Sequence, residues 1–233
     1  MGLRYSCLVV DHDDTSVDST RSIHYPAHVE ALRRLRPGRE PIGFEGWLRK
    51  NFEPGLLGYL VGELGFSPGE LEENYAVWRS FTASRVPPFF PGFVELLAEF
   101  RRRGGIVVVA SHSEESNILR DYVTRDGAGG GRAAGWAAFV PDAIYGWSDE
   151  PSRRKPDPYP VLAAMDRFRL TRERVLVLDD LKPGVDMARA AGVDCVGAGW
   201  GYDVPEIRDA MRDSCLRYFE TIGDFAGFLL GPA

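Results

Sequence analysis

Tyr5-Ser6-Cys7-Leu8-Val9-Val10-Asp11-His12-Asp13-Asp14-Thr15 is the stretch on which the fold turns. Its first half is largely apolar, with no polar alternation. Such a run suits a strand buried on both faces, as in a parallel sheet covered by helices on either side. It stops abruptly at Asp11. Three more runs follow the same grammar. Ile106-Val107-Val108-Val109-Ala110 stops at Ser111, Val175-Leu176-Val177-Leu178 stops at Asp179-Asp180, and Cys195-Val196-Gly197-Ala198 stops at Gly199. Helical patterns lie between the runs. Residues 93–103 carry an apolar stripe (Phe93, Leu96, Leu97, Phe100) and end at Gly104-Gly105, a helix stop. Residues 184–191 form another helix, followed by Gly192. Alternating strand and helix predict an α/β fold built on a doubly wound parallel sheet.

Residues 17–88 break that rhythm. They hold helical patterns and no buried strand: one helix over 20–36 with a bend at Pro26, a pair over 42–65 split at Pro54-Gly55, and one over 68–85. Pro87-Pro88 and Pro91-Gly92 mark the return to the core. The expected organisation is an α/β core of residues 1–16 and 89–233, with an inserted all-helical cap domain of residues 17–88. The glycine- and alanine-rich residues 127–135 are expected to form a flexible surface loop.

The composition is that of an ordinary globular chain: 233 residues, 44% hydrophobic and 27% charged. Collagen-like, coiled-coil and disordered classes are excluded. A net charge of -6 gives no global attraction to nucleic acid or to an anionic membrane. No apolar run approaches the roughly 18 residues of a membrane span, and the first run is too short for a signal peptide. Cys7, Cys195 and Cys215 are widely spaced, without a Cys-x-x-Cys pair. A disulfide framework or zinc site is not expected, and a reducing cytoplasm is the expected location. No motif sets an oligomeric state. Among the 28 basic residues only Lys50, Lys155 and Lys182 are lysines, which draws attention to each.

In open α/β sheets ligands bind outside the carboxyl ends of the strands. Here those ends carry Asp11, Asp13 and Asp14, then Ser111-His112-Ser113, then Asp179-Asp180, with Lys155-Pro156-Asp157-Pro158 between the last two. Carboxylates converging on one edge repel each other and acquire raised pKa values. A divalent cation removes that problem, and Mg²⁺ suits an all-oxygen site that receives a phosphate. A lysine and a serine hydroxyl suit the remaining phosphate oxygens.

Asp-x-Asp-x-Thr after a strand, Ser after a second, Lys-Pro-Asp-Pro, and Asp-Asp-x-x-x-Gly-x-x-x-Ala-x-x-Ala-Gly, in this order, resemble the motifs of the haloacid dehalogenase-like hydrolase superfamily. The resemblance covers nearly the whole chain, including a helical cap between the first and second motifs, and it implies a Rossmann-like core. It further implies Asp11 as nucleophile, forming an aspartyl-phosphate. Asp13 would be general acid and then base. Ser111, the His112 backbone N–H and Lys155 would bind phosphate. Asp11, the Asp13 backbone carbonyl, Asp179 and Asp180 would organise Mg²⁺. The expected activity is a Mg²⁺-dependent phosphatase acting on a small phosphorylated metabolite. The expected partner is that metabolite, with no nucleic acid and no membrane.

The chain departs from the family pattern at two positions. Asp14 stands where glycine is usual; aspartate tolerates positive φ better than most residues, but it adds negative charge. His12 is unusual between the two aspartates and reads as a structural or electrostatic neighbour. Arg49, Lys50 and His12 are candidate specificity residues. Trp47 and Trp78 read as cap core. His24 and His28, four apart, lack a third metal ligand and read as a cap hinge or a solvent face. Three alternatives stay open. A β-phosphoglucomutase-like phosphomutase shares this core. A phosphonoacetaldehyde-hydrolase-like enzyme would use Lys50 as its Schiff base. A non-catalytic phosphate-binding protein could arise through Asp14.

Overall fold

The computed structural model describes residues 2–124 and 139–231. The glycine-rich loop expected at residues 127–135 lies outside them. Six parallel strands form one sheet: β1 (Cys7–Val10), β2 (Ile106–Ala110), β3 (Ala143–Tyr145), β4 (Val175–Asp179), β5 (Asp194–Ala198) and β6 (Arg217–Phe219), in the order β3-β2-β1-β4-β5-β6. The order reverses direction at β1, so the crevice of a doubly wound sheet opens beside that strand.

The alternation of side chains along each strand sorts the core into two layers. Leu8 and Val10 of β1, with Val107, Val109, Leu176 and Leu178, pack under α4 (Phe93–Arg102) and α9 (Ile222–Leu230) through Phe93, Leu97, Phe100, Phe225 and Leu229. Cys7 and Val9 face the other way. They meet Val108, Val175 and Val177 under α6 (Tyr159–Phe168), α7 (Lys182–Ala191) and α8 (Pro205–Ser214). Every residue of β1 is buried, which is why its sequence lacks polar alternation.

Strand register places the functional ends together. Val10 lies opposite Val109 of β2 and Leu178 of β4. The Asp11 N–H donates to the Leu178 carbonyl at 2.9 Å. Asp11, Ser111 and Asp179-Asp180 therefore leave the sheet at the same edge.

Between β1 and α4 lie a π-helical turn (Thr20–His24) running into α1 (Tyr25–Leu35), then α2 (Phe44–Phe52), a second π-helical turn (Gly58–Glu63) and α3 (Pro68–Ala83). Pro26 falls in the first turn of α1, where its missing N–H costs nothing. Ser67 caps α3 in a capping box with Glu70. These helices have their own apolar cluster of Leu32, Trp47, Tyr59, Leu60, Leu64 and Phe66. The segments leading in and out run side by side: the Asp18 N–H donates to the Pro88 carbonyl at 2.9 Å and the Phe90 N–H to the Ser16 carbonyl at 3.1 Å. No helix among the described residues is long and apolar enough to cross a membrane.

Candidate active site

The Lys155 ammonium sits between two carboxylates at the sheet edge. It donates to Asp11 Oδ1 at 2.6 Å and to Asp179 Oδ2 at 2.8 Å, and all three side chains are buried. Burial alone would lower the Lys155 pKa, but the two carboxylates outweigh it and drive the pKa up. Asp180 lies beside them: Asp11, Asp179 and Asp180 each offer a carboxylate oxygen within 4.8 Å of the others. Thr15 Oγ1 donates to Asp180 Oδ1 at 2.9 Å, and the Leu181 N–H to Asp179 Oδ1 at 3.0 Å. Burial, and Asp11 after it, push Asp179 up to about 6 against the pull of Lys155. Burial and the charges of Asp11 and Asp179 raise Asp180 further. One ammonium is too little positive charge for three buried acids. Desolvation costs several kcal/mol per uncompensated ion. The donor set is all oxygen, buried and short of positive charge, which fits a hard divalent cation such as Mg²⁺.

Local structure explains the Asp-Asp-x-x-x-Gly spacing. Asp179 ends β4, and α7 begins three residues later under its side chain. A Cβ on Gly184 would stand 2.0 Å from Asp179 Oδ2, so only glycine fits there.

Asp13 is held by a different set of groups. Its Oδ1 accepts from Ser19 Oγ at 2.7 Å and contacts His24 Nε2 at 2.8 Å. Its Oδ2 accepts from Ser113 Oγ at 2.6 Å and from Ser111 Oγ at 3.3 Å. Burial pushes this carboxyl up, but His24 first and then His12 and the Ser113 hydroxyl hold it well below the usual range. Burial alone would lower the His24 pKa, but the charge of Asp13 and its hydrogen bond outweigh burial and raise it overall. Trp78 opposes that upward pull, because its indole N–H donates to His24 Nδ1 at 2.8 Å. An indole N–H can only donate, so Nδ1 carries no proton and the ring proton sits on Nε2, facing Asp13. In its neutral form the ring is therefore the Nε2–H tautomer. Asp14 takes a φ of 57°, the left-handed turn expected of it. Its Oδ1 accepts the Thr20 N–H at 3.0 Å, and burial raises its pKa to about 6.

The structure brings Asp11, Asp13, Ser111, Lys155, Asp179 and Asp180 to one edge. His112 is beside them: its Nε2–H donates to the Lys155 carbonyl at 2.8 Å, bracing the lysine's backbone. His12 faces away, buried against Asp121 of α5 (Glu115–Thr124) at 3.1 Å and near the rings of Phe89 and Tyr122. Arg49 and Lys50 are not joined to the cluster. Arg49 pairs with Glu45 and Glu206, and Lys50 pairs with Glu63. Arg49 instead borders a separate open cavity of about 490 Å³ with Arg21 and Phe44. The two histidines of α1 and its leading turn part company. His24 meets Asp13, while His28 stacks on Trp47 with ring centroids 4.1 Å apart and is pushed down to about 4 by burial. Sequence reasoning missed His24, Ser19 and Ser113 as partners of Asp13, and Trp78 as the partner of His24. Only the Ser111-x-Ser113 spacing offered a local signal.

The chain is similar to known proteins in sequence and in fold. The family described as haloacid dehalogenase-like hydrolase matches residues 5–192. A phosphoglycolate phosphatase from Pseudomonas putida is 38% identical, the match covering 97% of this chain and 79% of that protein. One from Rhodospirillum rubrum is 28% identical, covering 60% of this chain and 53% of that protein, so the chain spans about half that relative's length. A haloacid dehalogenase-like family hydrolase from Streptococcus pneumoniae superposes with a TM-score of 0.73 over 97% of this chain and 98% of its own. At 17% identity, that likeness concerns the fold alone.

Proposed function

The chain belongs to the haloacid dehalogenase-like hydrolase family, and from that premise we propose that it is a Mg²⁺-dependent phosphatase of a small phosphorylated metabolite. The observation that carries this reading is the buried Asp11–Lys155–Asp179–Asp180 cluster with Asp13 at the same sheet edge. Residues 17–88 serve as the cap over that edge.

In this reading the Asp11 carboxylate attacks phosphorus, and the bond from phosphorus to the leaving oxygen breaks. The departing oxygen keeps the electron pair and takes a proton from Asp13. The aspartyl-phosphate on Asp11 is then hydrolysed by a water whose proton returns to Asp13. Held as a carboxylate, Asp13 is already in the base form that the second half needs. For the first half it takes up a proton that arrives with the substrate, since a phosphate monoester retains one near pH 6. Lys155 fixes Asp11 and balances charge on the phosphoryl oxygens, with Ser111 and the His112 backbone N–H beside it. Asp11, Asp179, Asp180 and the Asp13 carbonyl would hold Mg²⁺, which when bound neutralises the phosphoryl oxygens. Lys50 is engaged with Glu63, which argues against a Schiff-base role.

The relatives named phosphoglycolate phosphatase make phosphoglycolate the first metabolite to try. Hydrolysis of p-nitrophenyl phosphate and phosphoglycolate, with Mg²⁺ or with EDTA, tests the reading. Activity that requires Mg²⁺ and disappears in Asp11→Asn supports it. Activity that survives Asp11→Asn removes Asp11 as nucleophile.

A further inference from the structure

We propose that His24 is a positioning residue for Asp13, with Trp78 setting its tautomer. The inference rests on the reading of Asp13 as proton carrier. Asp13 belongs to the loop after β1, whereas His24 and Trp78 both come from the inserted helices. The inserted helices therefore reach into the reaction through one imidazole.

Both ring nitrogens of His24 are engaged. Nδ1 accepts from Trp78 at 2.8 Å, and Nε2 donates to Asp13 Oδ1 at 2.8 Å. The rings of His24 and Trp78 also lie nearly parallel, 15° apart with centroids at 5.7 Å. A ring clamped this way cannot flip without losing both bonds. It presents one N–H to one carboxylate oxygen, while Ser113 Oγ holds the other oxygen. The carboxylate plane of Asp13 is thus fixed from two sides.

The backbone serves the same end. The His24 N–H reaches back five residues to the Ser19 carbonyl at 3.3 Å, and the Tyr25 N–H to the Thr20 carbonyl. This π-helical turn adds a residue relative to an α-helix and rotates the following side chains. Such turns are rare and concentrate at functional sites. His24 gains its view of Asp13 from that extra residue. His28, one turn later, provides an internal contrast. It too is buried against a tryptophan, but its Nε2 has no hydrogen-bond partner among the described residues. Aromatic packing alone thus leaves the Nε2 of a histidine unpaired here, whereas the Nε2 of His24 meets Asp13.

His24 does not act by touching the metabolite. The cavity bordering Asp13 and His24 holds about 10 Å³ and is also lined by Ser19, Thr82, Arg85 and Asn117. That is room for about one water. Loss of the imidazole N–H should therefore impair proton delivery and spare binding.

The test compares kcat/KM for two monoesters in the full chain with Mg²⁺. p-Nitrophenyl phosphate has a good leaving group and needs little proton assistance, whereas β-glycerophosphate leaves as an alkoxide and needs much. His24→Phe keeps the ring and loses the donor. Its kcat/KM should fall about tenfold on p-nitrophenyl phosphate and about 100-fold on β-glycerophosphate, with KM within about threefold. His24→Gln restores an N–H and should recover most of the loss. Trp78→Phe keeps the stacking and frees the tautomer, and should fall between the two. In an Asp13→Asn background, His24→Phe should have no further effect. Equal losses on both substrates, or no rescue by glutamine, would overturn the proposal and leave His24 structural. If the wild type hydrolyses neither ester nor phosphoglycolate, the phosphatase reading itself fails; wherever the two esters are not turned over, the histidine is judged by nitrogen NMR. A proton on Nε2 and none on Nδ1 upholds the clamp, and a proton on Nδ1 refutes it. If His24→Phe does not fold, His24→Gln and Trp78→Phe carry the comparison.

Discussion

Asp14 places a non-glycine residue at φ 57° and buries its carboxyl beside the acidic edge. The side chain compensates in part by accepting the Thr20 N–H. Asparagine would keep that acceptor and the tolerance for positive φ while removing the charge. The sign of the effect follows from linkage. Because the folded pKa of about 6 lies above the ordinary 3.8, the folded state holds its proton more tightly. Stability is therefore lost as pH rises from about 4 to 6, and the penalty is complete above that. Asp14→Asn should raise stability by roughly 1–3 kcal/mol at pH 7.5 and by almost nothing at pH 4. Urea unfolding of the two proteins at both pH values measures this; an equal gain at both would refute the charge explanation. Asp11, Lys155 and Asp180 were legible in sequence because each sits at a strand end or within a contiguous motif. His24 was not, since its partner lies 11 residues back and its direction depends on a π-helical turn that has no recognised residue code.

At the scale of elements, the junction of β4 and α7 is the tightest part of the site. Glycine to alanine inside a helix ordinarily stabilises by up to about 1 kcal/mol. At Gly184 the sign should reverse, because the new Cβ would stand 2.0 Å from Asp179 Oδ2. Either the carboxylate rotates away from Lys155 or α7 moves off the sheet. Gly184→Ala should lower the melting temperature and weaken Mg²⁺ activation at least tenfold. Mg²⁺ titration of activity beside a melting curve tests both. Stabilisation with unchanged Mg²⁺ response would show that Asp179 does not need its present place. The central strands were legible because burial on both faces forces continuous apolar runs. The edge strands β3 and β6 were not. Each spans three residues, and β6 goes from exposed at Arg217 to buried at Phe219, so neither leaves a buried run in the sequence. The split expected at Pro54-Gly55 falls between α2 and the second π-helical turn, and the helix expected over 68–85 is α3.

For the molecule as a whole, arginine and lysine pairs that join the inserted helices to the core among the described residues are Arg79–Glu114, Arg49–Glu206 and Lys182–Glu53. All include exposed partners, and such pairs contribute about 0–1 kcal/mol each. The acidic edge has more leverage on global stability, because its carboxylates are buried and short of positive charge. An ion that binds only the folded chain stabilises it by about 2.7 kcal/mol at 100 times its Kd. For a chain of this size that corresponds to a rise in Tm of roughly 5–10 °C. Protons compete for the same oxygens. Asp179, raised to about 6, is mostly charged at pH 7.5 and mostly protonated at pH 5. In the metal-free protein its desolvation penalty is therefore absent below about pH 4, grows as pH rises through 6 and is full at pH 7.5. Mg²⁺ should remove that penalty where it is largest. The expected result is a Mg²⁺-induced rise in Tm at pH 7.5 that shrinks to less than half at pH 5, and that is lost at both pH values in Asp180→Asn. Thermal unfolding in EDTA and in Mg²⁺ at the two pH values decides the matter. A rise independent of pH, or one that survives Asp180→Asn, would place the cation elsewhere on the molecule and separate it from the Asp11–Asp179–Asp180 edge.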